Sequence, residues 1–257
     1  MLNFRIANLI LLFVLMLMGV LYNHSPFSRA YFLLPFSGWS ILVFYGCYFI
    51  HSGFFIRIKC KEETREKLMA LTFDDGPDER NTSMILDILK KTESTATFFC
   101  IGHNIPGNES VLKRIHMEGH TIGNHSYSHA FLFDLFSKRK MQKDLEQMDN
   151  LVVQILGKRP KLFRPPYGVT NPAVRDVILR GNYFPVGWSV RSMDTVAKEK
   201  SKFLDKIFRS FEPGAVLLFH DTSSITLQSL EEVILAGQQK GFRFVSVDRL
   251  FQIEAYA

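Results

Sequence analysis

The sequence predicts an α/β domain with a parallel sheet, preceded by two apolar membrane segments. From about residue 68 onward, short apolar runs alternate with segments of helical periodicity, which is typical of a parallel sheet covered by helices. Before residue 57, the apolar residues are concentrated in two runs that lack charged side chains. The composition, 47% hydrophobic and 22% charged, excludes a disordered chain and supplies enough apolar residues for a core.

Residues 1–57 are predicted to form the membrane anchor. The first uncharged run covers residues 6–22, and the second follows Arg29 and ends at residue 56. The second run is longer than a helix needs to cross ~30 Å of hydrocarbon. No small-x-small cleavage site follows the first run, which argues against a signal peptide. We therefore predict two transmembrane helices in an integral protein of a bacterial inner membrane, with one span plus an interfacial segment as the alternative.

A linker and a single domain follow the anchor. Residues 58–67 are charged and are predicted to form a basic linker, and residues 68–257 form the α/β domain. Apolar and β-branched runs predict strands at 68–73, 95–102, a short segment ending at 123, 183–190, 215–219 and 242–247. Helical periodicity predicts helices beginning at 82 and covering 110–117, 141–156, 172–180 and 227–239.

Local signals define several of these boundaries. Gly76 and Pro77 predict a turn directly after the first strand. Thr82 is predicted to cap the first helix of the domain, because a threonine hydroxyl can accept a hydrogen bond from a backbone N–H of the first turn. Gly157 is predicted to end the 141–156 helix, because glycine readily adopts the left-handed conformation at a helix C-terminus.

Charge and cysteine content exclude two classes of protein. The net charge is +6, yet the longest basic cluster, residues 138–140, has no neighbouring aromatic platforms, so no nucleic-acid partner is predicted. Solvated lysines and an anionic membrane surface account for the basic balance. Three cysteines cannot build a disulfide framework, and we predict three unpaired thiols.

Two adjacent carboxylates, Asp74 and Asp75, follow the first predicted strand. A glycosidase is disfavoured, because its two carboxyl groups lie ~5–9 Å apart across a sugar and normally come from separate elements. One metal ligand and one general base fit the spacing better. Such residues are expected at the carboxyl ends of the strands, where Arg164 and His220 also lie.

Two histidines four residues apart, His125 and His129, can face the same way on a helical turn and bind one metal. Together with one aspartate they give two nitrogens and one carboxylate, with positions left for water and substrate. That is the ligand count of a catalytic metal site rather than a structural one. Three further motifs hold candidate residues: Arg164-Pro-Pro-Tyr167-Gly, the segment from Trp188 to Asp194, and Leu-Phe-His220-Asp.

Taken together and in this order, these motifs resemble the polysaccharide deacetylase family, carbohydrate esterase family 4, also called the NodB-homology domain. The resemblance covers about residues 66–250, and Thr72-Phe-Asp-Asp-Gly-Pro77 matches the first motif of the family without a change. It implies a distorted (β/α) barrel with fewer than eight repeats. It also implies a hydrolase that removes an acetyl group from an amino sugar of a polysaccharide or glycan with a divalent metal ion, zinc.

The resemblance also implies the role of each residue. Asp74 would be the general base for the attacking water, and the metal ligands would be Asp75, His125 and His129. Arg164 would orient Asp74 and balance its charge.

The remaining roles concern the carbonyl and the leaving group. The Tyr167 backbone N–H would stabilise the oxyanion. His220 would protonate the leaving amine, and Asp194 would orient or tune His220. Arg191 and Thr195 stand where the family usually has Asp and Trp, so the acyl pocket differs from the family pattern.

Two alternatives keep the fold. One is a deformylase or deacetylase of a lipid-linked sugar precursor. The other is a non-catalytic glycan-binding relative, against which the retained base, ligands and acid argue. The expected partners are an N-acylated carbohydrate and the membrane.

The charges beside the two apolar runs bear on the side of the membrane. Two spans place the N-terminus and the catalytic domain on the same side, and lysines and arginines near short loops favour the cytoplasm. The loop between the runs carries only Arg29, whereas the flanks carry Arg5, Arg57, Lys59, Lys61, Arg65 and Lys67. The charges therefore favour a cytoplasmic catalytic domain, whereas family members that act on wall polymers work outside.

Overall fold

A computed structural model describes residues 2–257. Two long apolar helices are followed by an α/β domain, which confirms the predicted fold class. The helices are α1 Phe4–His24, α2 Leu33–Tyr48, α3 Asn81–Lys91, α4 Glu109–Met117, α5 Lys138–Leu156, α6 Pro172–Arg180, α7 Lys200–Arg209, α8 Ser224–Gln239 and α9 Val247–Phe251. The strands are β1 Leu68–Asp74, β2 Ala96–Cys100, β3 Thr121–Asn124, β4 Leu162–Phe163, β5 Phe184–Pro185, β6 Val190–Arg191, β7 Val216–His220 and β8 Arg243–Val245.

Helices α1 and α2 form a hairpin whose side chains are mostly exposed. Helix α1 and the helical stretch Arg29–Tyr48, which contains α2, are long and apolar enough to cross a membrane, a property that an N-terminal signal sequence shares. The Trp39 indole N–H donates to Asn8 Oδ1 at 2.8 Å, which joins the two helices. At the domain end of the hairpin, Ala7 packs with Phe54 and Phe55 in a small apolar cluster. Most of the other large apolar side chains of the two helices are exposed.

The sheet is parallel throughout and curls into an incomplete barrel. Its strand order is β5-β4-β3-β2-β1-β7-β6, and β8 pairs with the first half of β1. Strand β1 is central and fully buried after its first residue, which explains its continuous apolar sequence. Its last residue, Asp74, is in register with Phe99 of β2 and His220 of β7. The carboxyl ends of β1, β2 and β7 therefore meet at one edge.

The segment 58–67, predicted as a linker, is attached to the domain. Lys59 forms an isolated bridge with Val186, and Lys61 forms one with Ala215. Val186 directly follows β5, an end strand of the sheet, and Ala215 directly precedes β7. The segment thus connects the hairpin to the sheet through backbone hydrogen bonds.

Two sequence predictions about the bounds of helices and strands are wrong. Thr82 does not cap α3, because the helix begins at Asn81 and its N-cap residue is Arg80, while the Asp78 carboxylate accepts a hydrogen bond from the Asn81 N–H at 2.6 Å. Residues 183–190 are two short strands at opposite ends of the strand order rather than one. The chain leaves the sheet between them, where the Val186 and Gly187 carbonyls accept hydrogen bonds from Arg164.

Helices α7 and α9 were not predicted from the sequence. Helix α7 buries only Phe203 and Ile207, one turn apart, in a basic segment. The predicted absence of disulfides is confirmed, since all three cysteines, which lie in the part of the chain that the structure describes, are free.

Candidate active site

The turn after β1 directs two neighbouring carboxylates to the same edge of the sheet. Asp74 is the buried end of the strand, and Asp75 follows with φ +81°, a left-handed conformation that aspartate tolerates better than most residues. The Asn104 side-chain amide donates to the Asp75 carbonyl at 2.7 Å and fixes this turn. A Cβ on Gly76 would lie 1.9 Å from Asp221 Oδ2, so only glycine fits at this position.

His125 and His129 converge through an irregular loop after β3, so the predicted helical turn is wrong. Ser126 and His129 have φ of +68° and +44°, which no helix allows. The Asp144 carboxylate accepts hydrogen bonds from the Tyr127 and Ser128 N–H groups, at 2.8 and 3.3 Å, and the Ser126 hydroxyl accepts one from the His129 N–H. Held in this way, the two imidazole rings lie 4.8 Å apart.

Asp75, His125 and His129 form a cluster with the chemistry of a metal site. The Nε2 atoms of His125 and His129 lie 3.7 and 3.6 Å from Asp75 Oδ1, too far for hydrogen bonds. Neighbouring ligand atoms about 2 Å from a tetrahedral zinc are separated by roughly 3.3 Å, so a small inward movement would complete the site. The donor set, two imidazole nitrogens and one carboxylate oxygen, therefore fits zinc.

Both imidazoles are held neutral, as ligands must be. Burial lowers the pKa of His125 to about 3, and the neighbouring His129 acts in the same direction. Burial also lowers the pKa of His129, against the charge of Asp75. His125 Nδ1 lies 2.8 Å from the Arg164 carbonyl, which can only accept a hydrogen bond, so Nδ1 carries the proton. The Nε2 lone pair consequently faces the cluster.

Arg164 is fully buried beneath Asp74. Its guanidinium donates to Asp74 Oδ1 at 2.6 Å and to the Thr72 hydroxyl at 2.8 Å, and it lies over the Phe99 ring at 4.1 Å. It also donates to the Val186 and Gly187 carbonyls, so each guanidinium nitrogen has a hydrogen-bond partner, which a buried charge requires. Burial raises the pKa of Asp74 above its ordinary value, and the charge of Arg164 opposes this rise. The second oxygen of Asp74 lies 3.7 Å from His125 Nε2, beside the cluster.

Tyr167 borders the cluster on its solvent side. Its φ of +58° interrupts the short helical turn after Arg164-Pro-Pro. The ring lies 4.7 Å from that of His129, and the hydroxyl donates to the His129 carbonyl at 3.3 Å. The peptide N–H of Tyr167 is thus fixed on the loop that also carries Arg164.

His220 and Asp194 form a second ion pair at the same edge of the sheet. Asp194 Oδ1 lies 2.8 Å from His220 Nδ1, and Oδ2 accepts hydrogen bonds from the His220 N–H and the Thr226 hydroxyl, at 2.7 and 2.6 Å. Burial opposes the charged form of His220, but the hydrogen bond and charge of Asp194 outweigh it and raise its pKa. Burial likewise opposes the charge of Asp194, and His220 outweighs it, so the pKa of Asp194 is lowered.

All eight residues predicted for the site lie at the carboxyl edge of the sheet or on the loops that follow it. Sequence reasoning missed the residues that support them, Asn104, Asp144, Thr226 and Asp221. Asp221 adjoins His220 in the chain, and burial raises its pKa to about 7 while Thr82 donates to it at 2.6 Å. Its position directly after a predicted site residue was the one available signal. Arg191 and Thr195, which depart from the family pattern, are exposed at the rim.

Comparisons with known proteins identify similar chains. The sequence model of the Polysaccharide deacetylase family matches residues 61–185. The peptidoglycan-N-acetylmuramic acid deacetylase PdaA of Bacillus subtilis is 36% identical over 193 residues, which cover 73% of this chain and 72% of PdaA. PdaC of the same organism, also named a peptidoglycan-N-acetylmuramic acid deacetylase, is 34% identical over 202 residues. That match covers 76% of this chain but only 41% of PdaC, so the chain spans less than half of that relative.

Solved structures have the same fold. A crystal structure of a peptidoglycan N-acetylglucosamine deacetylase matches with a TM-score of 0.74 and 30% identity, covering 78% of this chain and 95% of that one. The predicted distorted (β/α) barrel is thereby confirmed. A pseudoenzyme of carbohydrate esterase family 4 from Bacillus anthracis also matches, with a TM-score of 0.69 and 25% identity over 74% of this chain and 67% of that one. The fold is therefore shared by a deacetylase and by a pseudoenzyme.

Proposed function

The chain belongs to the polysaccharide deacetylase family of hydrolases, and from this premise we propose that it removes acetyl groups from the amino sugars of a peptidoglycan-like glycan. The convergence of Asp75, His125 and His129 beside the buried Asp74–Arg164 pair carries the proposal. A non-catalytic glycan-binding relative has no need of a buried base or of two neutral imidazoles that face one carboxylate. The names of the relatives support acetyl rather than formyl as the group removed.

We propose that Asp75, His125 and His129 hold one divalent metal ion, zinc. When bound, the metal supplies a Lewis acid that polarises the amide carbonyl and makes water acidic enough to act as a nucleophile at neutral pH. The residues around it are arranged for proton transfer and for binding of charge. Asp74 is the proposed general base: its raised pKa favours accepting a proton, and Arg164 keeps it oriented.

Asp74, Tyr167 and His220 are proposed to handle the protons and the charge that develop during hydrolysis. As the water oxygen bonds to the acetyl carbon, Asp74 takes one of its protons, and negative charge develops on the carbonyl oxygen. The Tyr167 backbone N–H is proposed to donate to that oxygen. His220, kept protonated by Asp194, then gives a proton to the nitrogen as the C–N bond breaks. The products are acetate and a free amino sugar.

The anchor and the domain boundaries are part of the same proposal. Residues 1–57 form two transmembrane helices, 58–67 a basic segment at the membrane surface, and 68–257 the catalytic domain. The apolar side chains of α1 and α2, exposed over nearly their whole length, support a membrane environment. The Phe4 N–H donates to the Phe54 carbonyl at 3.0 Å, which ties the start of α1 to the segment after α2, and the Thr170 N–H of the domain donates to the Cys47 carbonyl at the end of α2.

Release of acetate from a defined glycan tests the function. The full-length chain, purified in detergent and loaded with zinc, would be incubated with N-acetylated peptidoglycan oligosaccharides, and acetate and free amine would be measured. We expect equal amounts of both products, and far slower release of both by the Asp74→Asn variant. A metal-loaded, folded protein that releases no acetate from any N-acetylated amino-sugar oligomer would refute the proposal.

A further inference from the structure

The end of helix α2 is hydrogen-bonded to the active-site loop. The Thr170 N–H donates to the Cys47 carbonyl, and the Thr170 hydroxyl donates to the Gly46 carbonyl, both at 3.0 Å. Helix α2 ends at Tyr48, and Thr170 comes shortly after Tyr167, which borders the metal cluster. The last turn of an apolar, membrane-length helix therefore contacts the same loop as the site.

The segment that follows His129 lies beside this contact and exposes large apolar side chains. We call residues 130–140 the surface segment. Phe131 is 80% exposed, Leu132 53% and Leu135 70%, whereas Phe133 between them is buried and holds the segment to the domain. The Asn171 side-chain amide donates to the Asp134 carbonyl at 2.6 Å. Two neighbouring residues of one loop therefore hold both elements: Asn171 binds the surface segment, and Thr170 binds the end of α2.

Basic residues follow the apolar ones directly. Lys138, Arg139 and Lys140 are all exposed at the start of α5, and Lys138 pairs with Asp176 of α6. Arg175 of α6 shares a cavity with Arg5 and Arg57, which flank the hairpin. Apolar side chains bordered by lysine and arginine are typical of segments that lie in a membrane interface, with the charges among anionic headgroups.

We propose that the surface segment rests in the bilayer interface, with Phe131, Leu132 and Leu135 among the upper acyl chains. The proposal rests on the membrane hairpin and on the proposed deacetylase function. Its occupant is the lipid bilayer, because neighbouring residues of one loop, Thr170 and Asn171, hold both this apolar segment and the end of α2, where Tyr48 is also exposed. His129 immediately precedes the segment, so the metal cluster opens at the level of the headgroups. The substrate is consequently a glycan held close to the membrane rather than one that diffuses freely.

Quenching of tryptophan fluorescence by brominated lipid tests this contact without requiring activity. The full-length Phe131→Trp variant would be placed in nanodiscs of phosphatidylcholine and phosphatidylglycerol, with bromine atoms on the upper part of the acyl chains. The matched control is Met117→Trp, because Met117 is 82% exposed but ends α4, at the opposite edge of the sheet. The emission of Trp39 and Trp188, measured on the unsubstituted chain in the same nanodiscs, is subtracted from that of each variant.

We expect brominated lipid to reduce the added emission of Phe131→Trp and to leave that of Met117→Trp unchanged. No reduction at position 131, or equal reduction at both positions, would overturn the proposal. A second variant, Leu132→Asp with Leu135→Asp, is expected to retain hydrolysis of a soluble N-acetylated oligosaccharide and to lose hydrolysis of the same glycan attached to a membrane lipid. If the double variant hydrolyses the membrane-attached glycan as fast as the unsubstituted chain does, that result would also contradict the proposal. If quenching occurs but neither glycan is hydrolysed, the proposed function fails and the membrane contact stands.

Discussion

Asp74 and His220 are register partners in the neighbouring parallel strands β1 and β7. Each is the last residue of its strand, and each has its own buried partner, Arg164 for Asp74 and Asp194 for His220. The two partners have opposite charges and therefore favour opposite protonation states. Arg164 favours the carboxylate of Asp74, which can accept a proton, and Asp194 favours the imidazolium of His220, which can donate one. One pair of adjacent strand ends thus presents both a base and an acid.

Replacing Asp74 by asparagine should separate catalysis from metal binding. The amide oxygen can still accept the hydrogen bond from Arg164, while the three proposed metal ligands are untouched. Because general bases typically contribute ~10²–10⁴-fold, we expect a loss of that size in kcat for acetate release. Metal content by elemental analysis and the thermal unfolding midpoint report whether the protein remains intact. The exposed Asp205→Asn variant serves as the control, and full activity of Asp74→Asn would contradict the assignment of the base.

The metal site predicts a defined stoichiometry. Protein purified without chelator should contain about one zinc per chain, the content of a mononuclear site. The His125→Ala/His129→Ala double variant should lose it, because one carboxylate alone cannot hold the ion. A double variant of two exposed histidines, His24→Ala/His51→Ala, should retain it. Zinc that survives the loss of His125 and His129 would show that the ion binds elsewhere.

The role of His220 can be tested by changing the leaving group. An amide nitrogen must be protonated before it leaves, whereas the phenolate of an activated ester needs no proton. His220→Ala should therefore lower kcat/KM for an N-acetylated oligosaccharide far more than for p-nitrophenyl acetate. Comparable losses on the two substrates would mean that His220 has a structural role only.

The pH profile should respond to Asp194. His220 must be protonated to act as an acid, so amide hydrolysis is lost as pH rises through its raised pKa. Asp194→Asn removes the charge that raises this pKa and leaves burial, which lowers it. The alkaline limb should therefore move to lower pH, while the acid limb, set by Asp74, remains. An unchanged alkaline limb would indicate that another group controls it.

The strands and helices of the domain were largely predictable, because their hydrophobic patterns reflect burial. Strand β1 is buried on both faces, and α5 has one apolar stripe, so each has a distinct pattern. The division of 183–190 was not predictable from local sequence. It depends on the guanidinium of Arg164, which comes from another part of the chain and binds the carbonyls that a continuous strand would have used.

The identity of the chemical groups was easier to predict than their geometry. The spacing of His125 and His129 indicated a shared ligand site but led to a helical turn, whereas Ser126 and His129 adopt left-handed conformations. Those conformations are stabilised by the Asp144 carboxylate, and no local pattern links Asp144 to the histidines. Asp221 shows the same difficulty, since its contact with Gly76 exists only after β1 and β7 pair.

The charges that flank the hairpin predict the side of the membrane on which the active site lies. The start of α1 is hydrogen-bonded to Phe54, which follows α2 and leads into the domain, so the start of α1 and the catalytic site share one side. That side carries Arg57 and the basic residues of 58–67, while the far loop carries only Arg29. Cytoplasmic loops are enriched in lysine and arginine, so we expect a fluorescent protein fused after Ala257 to fluoresce and alkaline phosphatase at the same position to be inactive. The substrate would then be a glycan reachable at the inner leaflet. Active phosphatase without fluorescence would instead place the site outside, facing the wall polymer on which the relatives are named to act.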